Sequence, residues 1–194
     1  MKCIYWNIHS IEDIKLIINI LEQEKPDVFF ISEINDDFIN NNLHKLQEIK
    51  YEILDNPGCE RVKIIKNISL QVRIDLQNKY YTTIFIEDIN TYVVSIHLPS
   101  QMFQHMKALK EFIRDFRLDI DKEIGCSMEK RILVIGDFNV SSYEAPMIDF
   151  DGFITTNSIK SRPTITNLGK KRISYYNPTW QLYSRKHFPW HKIF

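Results

Sequence analysis

The chain has 194 residues, enough for one large domain with a real core, and 44% of them are apolar with few Gly or Pro, which excludes disordered and fibrous classes. Net charge is zero, but from Lys160 onward there are eight basic and no acidic side chains, leaving 17 basic and 25 acidic residues before it. That tail either attracts phosphates or neutralises the acidic body, and zero net charge argues against tight nonspecific duplex binding. No stretch approaches bilayer length, and the first apolar run lacks a basic leader and a cleavage site, so no membrane span and no secretory signal are expected. Cys3, Cys59 and Cys126 are odd in number and widely spaced, which fits buried small hydrophobes in a reducing cytoplasm.

In chain order, residues 2–7 read as a strand. Ser10, with Asp13 three places on, caps a helix whose Ile11, Ile14, Ile17, Ile18 and Leu21 share one face, ending at Pro26. Residues 27–33 form a second buried strand, and Asp36 to Ile49 one helix with Phe38, Leu43 and Leu46 inward. Residues 50–54, 61–66, 69–75, 80–86 and 91–97 are five strands with short separators, hence antiparallel neighbours. A long helix from Ser100 carries Met102, Met106, Leu109, Ile113 and Phe116 at helical spacing, and 131–137 is the last clear strand. After Gly152 the pattern weakens into an aromatic, basic stretch with Tyr175, Tyr176, Trp180, Tyr183, Phe188 and Trp190. These aromatics either stack bases or pack as core. Hairpins flanked by helical crossovers predict a layered α/β (α+β) domain over 1–194, and the absence of glycine in Asn7-Ile8-His9-Ser10 disfavours a Rossmann fold.

Four apolar runs each end on a residue capable of chemistry: CIYW at Asn7, VFFIS at Glu33, YVVSI at His97 and ILVIG at Asp137, with Asn139 two places on. Buried strands that stop this way deliver an amide, two carboxylates and an imidazole to a sheet rim, the materials of a divalent-metal phosphoester hydrolase. Gly136 lets the backbone turn sharply before Asp137, which serves as a base toward water or as a cation ligand. A single Glu33 suits a hard cation that keeps most of its waters, but equally a glutamate at the start of a helix. Asn7 orients Glu33, touches the metal, or is a turn asparagine. His97, before Pro99, donates best to a phosphate oxygen as imidazolium beside a carboxylate, or is a satisfied structural histidine.

Tyr5-Trp6-Asn7-Ile8, Ile31-Ser32-Glu33-Ile34, Ser95-Ile96-His97-Leu98 and Ile135-Gly136-Asp137-Phe138-Asn139, in this order, resemble the endonuclease/exonuclease/phosphatase superfamily, the deoxyribonuclease I-like proteins. Tyr176-Asn177-Pro178-Thr179-Trp180 is similar to the family's late aromatic segment near the substrate groove. The resemblance implies a two-sheet β-sandwich with helices outside, in four layers α/β/β/α. It also implies a magnesium-dependent phosphodiesterase or nuclease, with manganese as a substitute ion. Asn7 and Glu33 would hold the metal, His97 the scissile phosphate, Asp137 the attacking water and Asn139 a phosphate oxygen. By the same resemblance Glu60 orients the first histidine, Arg61 faces the substrate and Trp180 lies at the substrate groove. The expected partner is nucleic acid or a small phosphoester. The family's late aspartate and its closing Ser-Asp-His-like motif have no match, since His187 and His191 lack that context. The domain therefore reads as C-terminally incomplete, with an uncovered sheet edge open to self-association. That gap also keeps a second reading open, a non-catalytic phosphate-binding or protein-interaction module.

Overall fold

The structure, a computed structural model, describes residues 1–100, 106–124, 131–157 and 164–180. The chain packs as two compact units: Met1–Leu98 with Lys130–Asp137, and Pro99–Glu129 with Phe138–Phe194.

The first unit is a sandwich of two sheets. One sheet holds β1 (Cys3–Asn7), β2 (Val28–Ser32), β3 (Tyr51–Leu54) and β4 (Val62–Asn67) in the order β1-β2-β4-β3. The other holds β5 (Arg73–Asn78), β6 (Tyr81–Ile86), β7 (Thr91–His97) and β8 (Arg131–Asp137) in sequence order. Each sheet has one parallel pair: β1 runs beside β2 with Asn7 level with Ser32, and β7 beside β8 with His97 level with Asp137. The other pairings are antiparallel. Alternation of side chains across each strand divides the apolar residues between two faces. Val28, Phe30, Val62, Ile64, Ile84 and Val93 build the core between the sheets. Phe29, Ile31 and Ile65 face the other way, onto the helices α1 (Ile14–Glu24), α2 (Asp36–Asn41) and α3 (Leu43–Glu48). This is the two-sheet α/β sandwich expected from the sequence.

Several expectations change in detail. Ser10 caps nothing: it sits at φ +61° with its N–H on the Glu33 carbonyl. Asp13 is the cap, its carboxylate accepting the N–H groups of Lys15 and Leu16, and Ile11 is consequently exposed. The helix predicted over Asp36–Ile49 breaks at Asn42 into α2 and α3, capped by Asn35 rather than running through. Residues 68–72 are not strand. They carry the chain from one sheet to the other, with Leu70 and Val72 packed into the inter-sheet core, so β4 and β5 are not hairpin neighbours. Gly136 is not a turn either: β8 continues through it to Asp137. Its φ is +152°, and a Cβ there would lie 1.9 Å from the Ile96 carbonyl oxygen, so close approach of β7 and β8 requires the glycine.

The second unit holds α4 (Met106–Glu123), α5 (Ala145–Ile148), β9 (Thr155–Thr156), β10 (Thr164–Asn167), β11 (Lys170–Ile173) and β12 (Tyr175–Tyr176). Leu109, Ile113 and Phe116 form the buried stripe of α4, as their spacing predicts; Met102 lies outside the described residues. Phe116, Phe138 and Tyr175 surround Phe153, with ring centroids 5.4–5.9 Å from it. The buried Arg117 guanidinium stacks on the half-buried Tyr175 and bonds Asp121 at 2.9 Å. β10 and β11 form a hairpin whose turn residues, Leu168 and Gly169, both have positive φ, the backbone that tight two-residue hairpins need. Tyr183, Phe188, Trp190, His187, His191 and Cys126 lie outside the described residues. Among the described residues no helix is long and apolar enough to cross a membrane.

Candidate active site

Both parallel pairs end level, and the sandwich sets their ends face to face. Asn7 closes β1 and Glu33 follows β2; His97 closes β7 and Asp137 closes β8. Asn7 Nδ2 donates to Glu33 Oε1 at 3.1 Å and to Asp137 Oδ2 at 3.4 Å, crossing from one sheet to the other. His97 Nε2 lies 3.4 Å from Glu33 Oε1 and makes a second crossing. Asn7, Glu33, His97 and Asp137 thus share one polar end of the inter-sheet core.

Glu33 is the hub. It leaves β2 at φ +57°, an uncommon conformation for a residue with a Cβ, which turns its side chain out of the ladder. Its Oε2 meets His9 Nδ1 at 3.0 Å. Partial burial works to raise its pKa, but hydrogen bonds from Asn7 and His9 and the charges of His97 and His9 outweigh that and hold the carboxyl below the usual glutamate range. His97 is 3% exposed, and its Nδ1 has no hydrogen-bond partner among the described residues. Tyr5 shares a 2.7 Å hydrogen bond with Ser32 Oγ, and burial, with the charges of Asp137 and Glu33, pushes its phenol pKa up.

Glu60 and Arg61 stand apart from this cluster. The Glu60 carboxylate is exposed and pairs with Lys79 Nζ at 3.1 Å; among the described residues no hydrogen bond or ion pair joins it to His97. Arg61 lies over the Tyr80 ring at 5.8 Å, and the Tyr80 carbonyl accepts the His97 N–H at 2.8 Å, so Arg61 is one residue removed from the histidine. Asn139, at φ +49°, and Trp180, partly buried, belong to the second unit.

Sequence reasoning passed over His9, Tyr5 and Ser32. His9 had a signal: it lies two residues past Asn7, and its N–H bonds Asn7 Oδ1 at 3.0 Å, a local turn that aims the imidazole at the strand end. Tyr5 and Ser32 looked like ordinary strand residues, and only register pairs their hydroxyls.

No family model and no curated protein sequence matches the chain. Among solved structures it is similar to an AP endonuclease from Archaeoglobus fulgidus, with TM-score 0.56 and 15% identity, covering 75% of this chain and 60% of that one. It is similar to D. rerio TDP2 complexed with single strand DNA product, with TM-score 0.54 and 15% identity over 90% of this chain and 80% of that one. Humanized D. rerio TDP2 gives TM-score 0.52 and 16% identity, with 77% of this chain and 66% of that one covered. The chain therefore spans less than two thirds of the length of the endonuclease and of the humanized TDP2. At such identities the likeness is one of fold alone: the chain shares the two-sheet α/β architecture of these solved structures.

Proposed function

We propose that the chain is a magnesium-dependent hydrolase of phosphodiesters, with nucleic acid as its substrate class. The observation that carries the reading is the pair of crossings between sheets, Asn7 to Asp137 and His97 to Glu33, which gather the four strand-end residues at one place. The complex of TDP2 with single strand DNA product, on a similar fold, supports nucleic acid over a small diester.

The donor set fits a hard divalent cation. Glu33 offers a carboxylate whose lowered pKa keeps it ionised, and Asn7 an amide oxygen. A hard cation of this kind takes one or two carboxylates and keeps most of its waters. Glu33 and Asn7 would hold it, with manganese as a substitute. When bound, such an ion neutralises charge on the phosphoryl oxygens and the leaving oxygen. Asp137 accepts the proton of the attacking water as the new P–O bond forms and the bond to the leaving oxygen breaks. Asn7 keeps the two carboxylates in register. His97, buried against Glu33, orients that carboxylate.

A second reading has its own support: both Glu33 oxygens are engaged by protein groups and His97 is buried. Those features suit a phosphate-binding or protein-interaction module that does not turn over. Hydrolysis of a generic aryl phosphodiester separates the two. Hydrolase activity should collapse with chelator and return with magnesium; equal background rates in both conditions would establish the second reading.

A further inference from the structure

Below the site, the wall of the sandwich holds a group of buried polar atoms. Thr82 Oγ1, Ser95 Oγ and His97 Nδ1 have no hydrogen-bond partner among the described residues, and their residues are 0%, 0% and 3% exposed. They are neighbours. Thr82 stands directly opposite Ser95 in the β6–β7 ladder, and His97 is two residues beyond Ser95 on the same face. That face is the inner one, because Ile84 and Val93, of the same parity, belong to the inter-sheet core. Unpaired buried polar atoms are rare in native interiors, and a grouped set is the usual setting of an internal water.

The position of His97 sharpens the point. Its Nε2 lies 3.4 Å from Glu33 Oε1, and an ionised carboxylate can only accept, so Nε2 presents a hydrogen there. Nδ1, buried and unpartnered among the described residues, still needs a hydrogen-bond partner of its own. Glu60, which the family resemblance casts as the orienting partner, is paired with Lys79 instead. Two hydroxyls lie along the same face, and neither bonds Nδ1 directly.

We propose that Thr82 and Ser95 hold one internal water that hydrogen-bonds His97 Nδ1 and so fixes the ring with its Nε2 toward Glu33. The water site stands on this geometry alone; its consequence for turnover rests on the hydrolase reading above. Thr82 and Ser95 are thus positioning residues, acting through His97 on the carboxylate.

The test is a nitrogen-15 spectrum of the His97 ring. Wild type should show hydrogen on Nε2 and a hydrogen-bonded Nδ1. A Thr82→Val, Ser95→Ala double variant should shift the Nδ1 signal, while Thr82→Ser and Ser95→Thr keep the wild-type spectrum. Should the double variant fail to fold, Ser95→Ala alone gives the same readout. An unchanged His97 spectrum without both hydroxyls would overturn the proposal, as would a high-resolution crystal structure that shows other internal waters but none at Nδ1. If the protein hydrolyses diesters, the double variant should lower kcat about 10–100-fold with KM unchanged, as supporting-shell losses at metal sites do. A shifted spectrum in a protein without hydrolysis would sustain the water site and remove only the hydrolase reading.

Discussion

Glu33 is the residue where the two sheets meet chemically, and its pKa makes that contact measurable. A carboxyl whose folded pKa is depressed contributes stability at pH above its unfolded value, about 4.3 for glutamate, and loses it as pH falls through the lower folded value. Asn7→Ala removes one of the two hydrogen bonds that lower it, so the Glu33 titration, followed by carbon-13 NMR, should move up toward the ordinary range. An unmoved titration would mean that the amide does not hold the carboxylate. Gly136 offers a second residue-scale test. Gly136→Ala should destabilise by about 3 kcal/mol or more in urea unfolding, because a Cβ would collide with the Ile96 carbonyl in a backbone conformation that disfavours it. Sequence suggested that this glycine matters but gave a different reason, a turn. The contact across β7 and β8 depends on register, which no local pattern displays.

At the scale of elements, the start of α1 separates two residues that look alike on paper. Asp13→Ala should cost about 1 kcal/mol through loss of the bonds to Lys15 and Leu16 N–H groups, while Ser10→Ala should be near neutral. The reverse order would place the cap at Ser10. Lys66 supplies a further prediction. Its ammonium is buried on β4 and pairs with Glu52 on β3 and with the Leu70 carbonyl. Glu52→Gln should lower stability by about 1–3 kcal/mol, by leaving a buried charge half-paired, and a denaturant midpoint equal to wild type would deny the pair a role. Elements with strong periodicity were legible: β1, β2, β7, β8 and the buried stripes of α1 and α4. What escaped depended on distant partners. Residues 68–72 are short and apolar, which reads as strand, yet they bridge the sheets because Leu70 and Val72 find the core without pairing. The short strands β9–β12 lie where apolar alternation is weakest.

At the scale of the whole molecule, the chain leaves the sandwich directly after each of two site residues. The first unit breaks at Leu98, one residue past His97, and again at Asp137 itself. Asn7, Glu33, His97 and Asp137 were legible because each stands where an apolar run stops, and for His97 and Asp137 that stop coincides with a unit boundary. His9 was not, because it is fully exposed and its role comes from a backbone turn rather than from a strand. The central claim is that Asp137 and Glu33 act together as one hydrolytic site. Its most direct test is the magnesium-dependent rate of cleavage of a short single-stranded DNA by wild type, Asp137→Asn and Glu33→Gln. Each variant should fall by about three decades with its fold intact by circular dichroism. Wild-type rates in either folded variant would contradict the account.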